Sequence, residues 1–495
     1  MKVESKLLTS SVIALTSQVL IASPNIILFY VDDLGWKDLS YQGSKFYETP
    51  NIDKMAKDGV VFSRAYTSHP RCLPARYSLL TGRYPARGAV WKYGGGLNPS
   101  DVTIAEALKT KNYKTFFIGK WHEIGKYGEA NLPKNQGFDI SLGAGAPGAP
   151  TTYFYPYRKV KLTGGLTEKD KLGLSGNVIP DLYKGGVEGE YLTDRITDES
   201  IKFIKDQTLK NPDQPFYAQI CHYGVHTPFE AKKELVEKYK KKLKIMNYSQ
   251  DEYEIDKVWG NVNKLRQNNP VYAAMIESID ESLGRIRKTL KELNIEKNTL
   301  IIFFSDNGGL SSKPTDSKRP LATTNYPLRN GKGWCYEGGV RLPMIACWPG
   351  KINSSTRTNS PIVVTDLYPT FLDVAGIPLH PENHIDGFSF APLLANKDYK
   401  RPAPIFWHSP KARPYSTGDY NCSAVMQGKY KLLEWYQDSR VELFDVENDI
   451  GESKDISADY PEVKKQLLKS LHEWKKEAKV NSYKLRTSAP KKSKH

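Results

Sequence analysis

Four short apolar runs, each ended by residues that carry chemistry, constrain this 495-residue chain more than any other feature. Residues 25–31 (Asn-Ile-Ile-Leu-Phe-Tyr-Val) lead into Asp32-Asp33, and 114–119 lead into Lys120-Trp121-His122. Residues 215–221 lead into a segment ending in His226-Thr227-Pro228, and 300–304 lead into Ser305-Asp306-Asn307. An apolar run without polar alternation suits a strand buried on both faces, as in a parallel sheet. Ligands of open α/β sheets bind beyond the carboxyl ends of the strands. Two adjacent acids at such an end are placed for a metal. Lys120 and His122, two apart on an extended segment, are expected to face the same side. His222, four residues before His226, reads as structural.

Between these runs the spacing predicts helices over 102–108, 196–204, 232–244 and 272–290. Another is expected after Pro50, with Asn51 as its cap. Residues 62–67 read as a strand leading to Cys72-Leu73-Pro74-Ala75-Arg76, then Tyr77-Ser78-Leu79-Leu80-Thr81-Gly82. Pro74 disfavours helix at Leu73, which puts Cys72 on a bend just before a helix starting near Ala75 and stopped by Gly82. A thiol there, beside Arg71 and Arg76, has its ionised form favoured. The competing reading is a small buried cysteine in a turn.

Cys-x-Pro-x-Arg, with Thr81-Gly82 five residues on, resembles the signature of type I sulfatases, the formylglycine-dependent branch of the alkaline phosphatase superfamily. Five further stretches match in the family's order: Asp32-Asp33-Leu34-Gly35, Gly119-Lys120-Trp121-His122, His226-Thr227-Pro228, Ser305-Asp306-Asn307-Gly308-Gly309, and Gly331-Lys332-Gly333 with Glu337-Gly338-Gly339-Val340-Arg341-Leu342-Pro343. The resemblance extends from about residue 24 to 478. It implies an α/β fold with a large mixed, mostly parallel central sheet flanked by helices over 24–378. A smaller C-terminal antiparallel sheet with a helix would occupy 379–480.

For the chemistry, the resemblance implies that Cys72 is oxidised to formylglycine, whose hydrate is the nucleophile. Asp32, Asp33, Asp306, Asn307 and an oxygen at position 72 would hold calcium, or magnesium if the cage is tight. That all-oxygen set suits a hard cation and disfavours zinc. Lys120 and Lys332 would bind the sulfate, His122 would touch the hydrate, His226 would face the leaving group, and Arg76 would hold the loop. Glu337 and Arg341 would organise their loop, and Cys335 would pack.

The expected activity is hydrolysis of a sulfuric ester on a sulfated glycan, with a formylglycine-generating or sulfatase-maturating enzyme as partner. The motif spelling and a Gly/Ala/Pro-rich loop near Gly143 are most similar to bacterial sulfatases of algal galactan or glycosaminoglycan breakdown. A phosphodiesterase or phosphonate hydrolase using the same aldehyde is the alternative within the superfamily. A catalytically silent glycan-binding protein is the alternative outside catalysis, and the completeness of the residue set argues against it.

The loop over 142–156 carries Tyr153, Phe154 and Tyr155, followed by Tyr157, Arg158, Lys159 and Lys161. Aromatic faces with cations suit stacking on sugars, and a loop packed on its own aromatics fits equally. Lys and Arg exceed Asp and Glu by 71 − 55 = 16, which favours anionic partners by long-range steering. No nucleic-acid recognition motif accompanies that charge. The five cysteines are widely spaced without a CxxC pair, so neither a disulfide framework nor a zinc cluster is indicated.

Lys2 and Lys6, an apolar stretch over 7–22 and Ile21-Ala22-Ser23 read as a signal peptide over 1–23. The expected location is therefore periplasmic or secreted. No later segment is long and apolar enough for stable membrane insertion. Residues 481–495 read as a basic tail.

Overall fold

The computed structural model describes residues 23–87, 96–158, 166–175 and 178–480. Residues 1–22 of the expected signal peptide and the expected basic tail lie outside the described residues, as do Lys159 and Lys161. The main sheet is built from β1 (Asn25–Val31), β2 (Val60–Tyr66), β3 (Lys114–Gly119), β4 (Ile140–Leu142) and β5 (Phe216–Cys221). Two short strands, β6 (Tyr253–Ile255) and β7 (Val262–Lys264), form a ribbon with β9 (Ser312–Lys313) elsewhere. The main sheet is completed by β8 (Thr299–Ser305), β10 (Arg341–Cys347), β11 (Thr356–Thr358) and β12 (Ile362–Val363). Its order is β11-β2-β10-β8-β1-β5-β3-β4, with β12 also on β2. Only β10 runs antiparallel to its neighbours, so β1, β2, β3, β5 and β8 all end on one edge.

Alternate residues of β1 feed two separate cores, which explains its unbroken apolar sequence. Ile26, Leu28 and Tyr30 pack on one side with α2 (Cys72–Thr81) and with α7 (Leu367–Ala375). Ile27, Phe29 and Val31 pack on the other with α1 (Pro50–Asp58), α4 (Leu192–Lys210), α5 (Lys233–Ile245) and α6 (Pro270–Glu292). The remaining amphipathic segment, α3 (Ile104–Lys109), is closed by a capping box of Thr103 and Glu106. After the main sheet, β13 (Ile405–Ser409), β14 (Cys422–Gln427), β15 (Tyr430–Trp435) and β16 (Val441–Asp445) make an antiparallel meander. Helix α8 (Pro461–Glu477) covers it through Leu467, Leu471 and Trp474. No helix among the described residues is long and apolar enough to cross a membrane.

Asn51 does not cap α1. Pro50 occupies the first turn after Thr49, and the Asn51 amide instead donates to Asp280 of α6 at 2.7 Å. The same carboxylate accepts the backbone N–H groups of Asn51 (3.2 Å) and Ile52 (2.7 Å). A charge on a neighbouring helix thus satisfies the donors that a local cap would serve. Burial raises the Asp280 pKa to about 6. Asp280→Ala is expected to lower stability by about 2 kcal/mol, read as a shift of the urea unfolding midpoint at pH 7.5.

Candidate functional site

The shared strand edge brings the sequence-selected groups together. β1 delivers Asp32 and Asp33, β3 delivers Lys120, and β8 delivers Asp306 and Asn307. Asp33 adopts a left-handed φ of 61°, which breaks strand alternation and lets neighbouring carboxylates serve one site. Its N–H donates to Asp306 Oδ1 (3.0 Å), and Asn307 Nδ2 donates to Asp33 Oδ1 (2.7 Å). One oxygen or sulfur from each of Asp32, Asp306 and Cys72 lies within 4.8 Å of the others.

Helix α2 starts at Cys72 itself, not near Ala75. Pro74 is tolerated because N–H groups in a first turn have no helical partner. Gly82 ends the helix in the left-handed region, as expected (φ 64°). Burial acts to raise the Cys72 thiol, but the ammonium groups of Lys120 and Lys332 and the His122 ring outweigh it and hold the thiol well below its usual range. The other four cysteines are buried, and Cys335 packs in the core as expected.

Lys120 Nζ donates to Asp32 Oδ2 at 2.5 Å. Lys332 Nζ donates to both oxygens of Asp33, at 2.6 and 2.7 Å. Gly119 makes the Lys120 placement achievable. At its φ of 97°, a Cβ would sit 1.9 Å from the Cys221 carbonyl oxygen, the same oxygen that accepts the Lys120 N–H at 2.8 Å. His122 reaches the site by a different route from the one expected. Its φ is 68°, so a left-handed turn rather than strand alternation brings Nδ1 to 3.6 Å from Cys72 Sγ.

The Arg76 guanidinium is committed to Asp306 and to the backbone of Lys120. Nη2 and Nε donate to Asp306 Oδ2 (2.9 and 3.2 Å), and Nη1 donates to the Lys120 carbonyl (2.8 Å). His226 places Nε2 3.6 Å from Asp33 Oδ2, while Nδ1 lies 2.8 Å from the Thr227 carbonyl. Burial and then Lys332 push its pKa down to about 4. His222 is fully buried, with Nε2 3.1 Å from Ser282 Oγ, the structural role expected of it.

Electrostatics divide the three acids. Burial, opposed by Lys332, His226 and Lys120, would raise Asp33, and the cations hold it well below the usual carboxylate range. Asp306 is pushed up to about 6 by burial and then by Asp32. Asp32 Oδ1 and Asn307 Oδ1 are both buried without a hydrogen-bond donor. Such orphaned oxygens suit cation ligation. Together with Asp306 they make a carboxylate and amide set that fits a hard cation such as calcium, while Asp33, whose two oxygens are held by Lys332, stands outside the group whose ligand atoms converge within 4.8 Å.

Several residues that shape the site carry no local sequence signal. Arg71, just before Cys72, pairs with Asp419 at 2.5 Å across 348 residues. The Tyr153 hydroxyl lies 2.7 Å from the carbonyls of both Tyr223 and His226. Tyr153 and Tyr157 are fully buried, and Tyr153 stacks on Tyr191. These two rings, one inside the 142–156 region and one just after it, therefore pack the loop on itself and are not sugar platforms. Phe154 and Tyr155 are half-buried.

Acids, ammonium groups and imidazoles gathered around a low-pKa side chain at the edge of this sheet define a hydrolase of anionic esters with an alkaline phosphatase-like fold. The sequence matches the family model for Sulfatase over residues 24–377 and that for N-sulphoglucosamine sulphohydrolase, C-terminal, over 330–477. The chain belongs to the sulfatase family, the sulfuric ester hydrolases. It is 32% identical to a sulfatase of Formosa agariphila, over 88% of this chain and 85% of that one. It is 29% identical to the N-acetylgalactosamine-6-sulfatase of Mus musculus, over 88% and 76%. Among solved structures it resembles Ps i-CgsB in complex with k-i-k-neocarrahexaose. The TM-score is 0.73 at 29% identity, covering 94% of this chain and 95% of the other.

Proposed function

We propose that this sulfatase removes sulfate from a sulfated glycan of the algal galactan or glycosaminoglycan type, using formylglycine at position 72 and a calcium ion. The observation that carries the reading is the meeting of Asp32, Asp306 and Cys72 within 4.8 Å, beside two orphaned oxygens and two lysines. The glycan class draws support from the relative solved with a carrageenan hexaose and from the relative named for N-acetylgalactosamine 6-sulfate.

When bound, the cation would be held by the oxygens of Asp32, Asp306 and Asn307 and would supply positive charge beside position 72, where a hydrated aldehyde would carry the attacking hydroxyl. The rest belongs to this chain. Lys332 and Lys120 face the sulfuryl oxygens and offset charge that grows in the transition state. His122, within reach of the position 72 side chain, takes a proton from it. His226 keeps Nδ1 toward Thr227 and turns Nε2 into the site. Arrival of an anionic ester favours the imidazolium, which can protonate the leaving sugar oxygen. Arg76 fixes Asp306 and the Lys120 backbone together and positions both.

The basic and apolar N-terminal segment supports export to the periplasm or beyond. Conversion of Cys72 calls for a formylglycine-generating or sulfatase-maturating enzyme. The test compares turnover of an aryl sulfate with that of an aryl phosphodiester, and a large preference for the diester would overturn the reading. Dialysis against EDTA is expected to lower sulfatase activity by at least about 100-fold. Calcium should restore it more fully than magnesium or zinc.

A further inference from the structure

The connection from β13 to β14 leaves the small sheet and passes over the Cys72 and Lys332 side of the site. Three contacts hold it there. Arg71 donates to Asp419 Oδ2 (2.5 Å) and to the Lys411 carbonyl (2.8 Å). Trp334, two residues after Lys332, donates its indole N–H to the Thr417 carbonyl at 3.1 Å. A Cβ on Gly333 would stand 2.6 Å from Asp419 Oδ1, so the Asp419 side chain packs directly on the Gly333 backbone.

Within that connection the N–H groups of Ser416, Thr417 and Gly418 turn toward the Arg413 carbonyl, at 2.9, 3.1 and 3.3 Å. The turn presents the exposed Arg413 side chain at the rim. A second arginine comes from the loop after β9. Arg319 Nη1 donates to Ser416 Oγ in the same turn (2.8 Å), and Lys313 Nζ holds its backbone carbonyl (3.0 Å). The loops are thus pinned at Ser416, with a guanidinium on each.

Among the described residues, no carboxylate forms an ion pair with either guanidinium. Asp419, in the same turn as Arg413, is occupied by Arg71, by the Thr417 hydroxyl and by the Arg413 backbone N–H. Both guanidinium groups lie within electrostatic range of the site, Arg413 of Cys72 and Asp419, and Arg319 of Asp33, with no hydrogen bond or ion pair to Cys72 or Asp33. Burial leaves the half-buried Arg319 guanidinium less stable than in water. An unneutralised pair of planar, bidentate donors facing a site for anionic substrate calls for an anion.

We propose that Arg319 and Arg413 form a second anion subsite, which takes a sulfate or carboxylate on the same glycan beside the ester being cut. The subsite rests on the reading of the enzyme as a glycan sulfatase, and it makes multiply anionic oligosaccharides the preferred substrates. The sulfated ester itself stays with Lys120 and Lys332. The second anion displaces only water from the two arginines.

The test measures calorimetric binding to the full chain carrying Cys72→Ala, which removes turnover. The probes are carrageenan disaccharides with one or two sulfates, and chondroitin disaccharides with and without the uronate carboxylate. A second anion is expected to tighten binding by at least about tenfold. Arg319→Ala with Arg413→Ala should reduce that gain to within about twofold, and the paired lysine variant should keep part of it. A gain with the second sulfate alone assigns the subsite to sulfate, and a gain with the uronate alone assigns it to carboxylate.

No gain from either anion, no binding of any probe, or a gain that survives the double alanine substitution overturns the proposal. With Cys72 intact and converted, the double alanine variant should hydrolyse 4-methylumbelliferyl sulfate within about threefold of the native rate. An equal loss on that small ester and on the disaccharides would also overturn the subsite. Failure of the native converted enzyme on every sulfate ester would sink the sulfatase reading separately, while the binding comparison still decides the subsite.

Discussion

Cys72→Ala is expected to hydrolyse an aryl sulfate at least about 10⁴-fold more slowly than converted native enzyme, a loss of about 5.5 kcal/mol in transition-state stabilisation. The side chain stands where the donors of Asp32 and Asp306 converge, 3.6 Å from His122. No other described nucleophile occupies that point. The substitution removes one partly buried sulfur and leaves the Lys120–Asp32, Lys332–Asp33 and Arg76–Asp306 pairs in place. The melting temperature should therefore stay within a few degrees of native. Peptide mass spectrometry on native protein should show the mass lost when CH₂SH becomes CHO. Full activity in protein whose Cys72 remains a thiol would refute the proposed nucleophile.

Lys431→Met carries the largest expected effect on stability, about 3–5 kcal/mol, because it leaves buried acids without their counter-charge. Lys431 lies 2.9 Å from both Glu337 and Glu452, and all three side chains are fully buried. Arg341 reaches Glu337 at 3.3 Å, and Tyr66 donates to it at 3.1 Å. Glu337 and Arg341 thus organise the loop, as the sequence suggested. Burial lifts Glu452 to about 7 even with Lys431 present. The folded chain therefore holds this proton more tightly than the unfolded chain. Its contribution to stability is fullest below the unfolded pKa and declines as pH rises from about 4.5 to 7. In Lys431→Met that decline should steepen, so urea midpoints at pH 5 and pH 8 should diverge more than in the native protein. Equal midpoints would show that the acids are neutralised by something other than Lys431.

β1 and β3 were legible to the residue, because strands buried on both faces leave no polar break in the sequence. Asp32 and Asp33 at the end of β1 and Lys120 at the end of β3 followed from that placement. Local backbone detail was less legible. Asn51 is a good capping residue by type, yet Asp280, 229 positions away, supplies the acceptor. Alternation suggested how Lys120 and His122 share a side, but a left-handed residue does that job. Asp419, Arg319 and Arg413 join the rim only through tertiary contacts, which have no period to detect. The aromatic loop fitted two readings, and burial chose self-packing for Tyr153 and Tyr157 alone.

The position of β1 in the sheet sets a timetable for biosynthesis. Asn25 of this central strand bonds partners 191 and 274 residues downstream, so a ribosome must emit well over half the polypeptide before its first strand has both neighbours. Until then Pro74, Ala75 and Arg76, which the finished fold buries, have no complete core to enter. Any enzyme that oxidises Cys72 meets its easiest target while the chain is still being made.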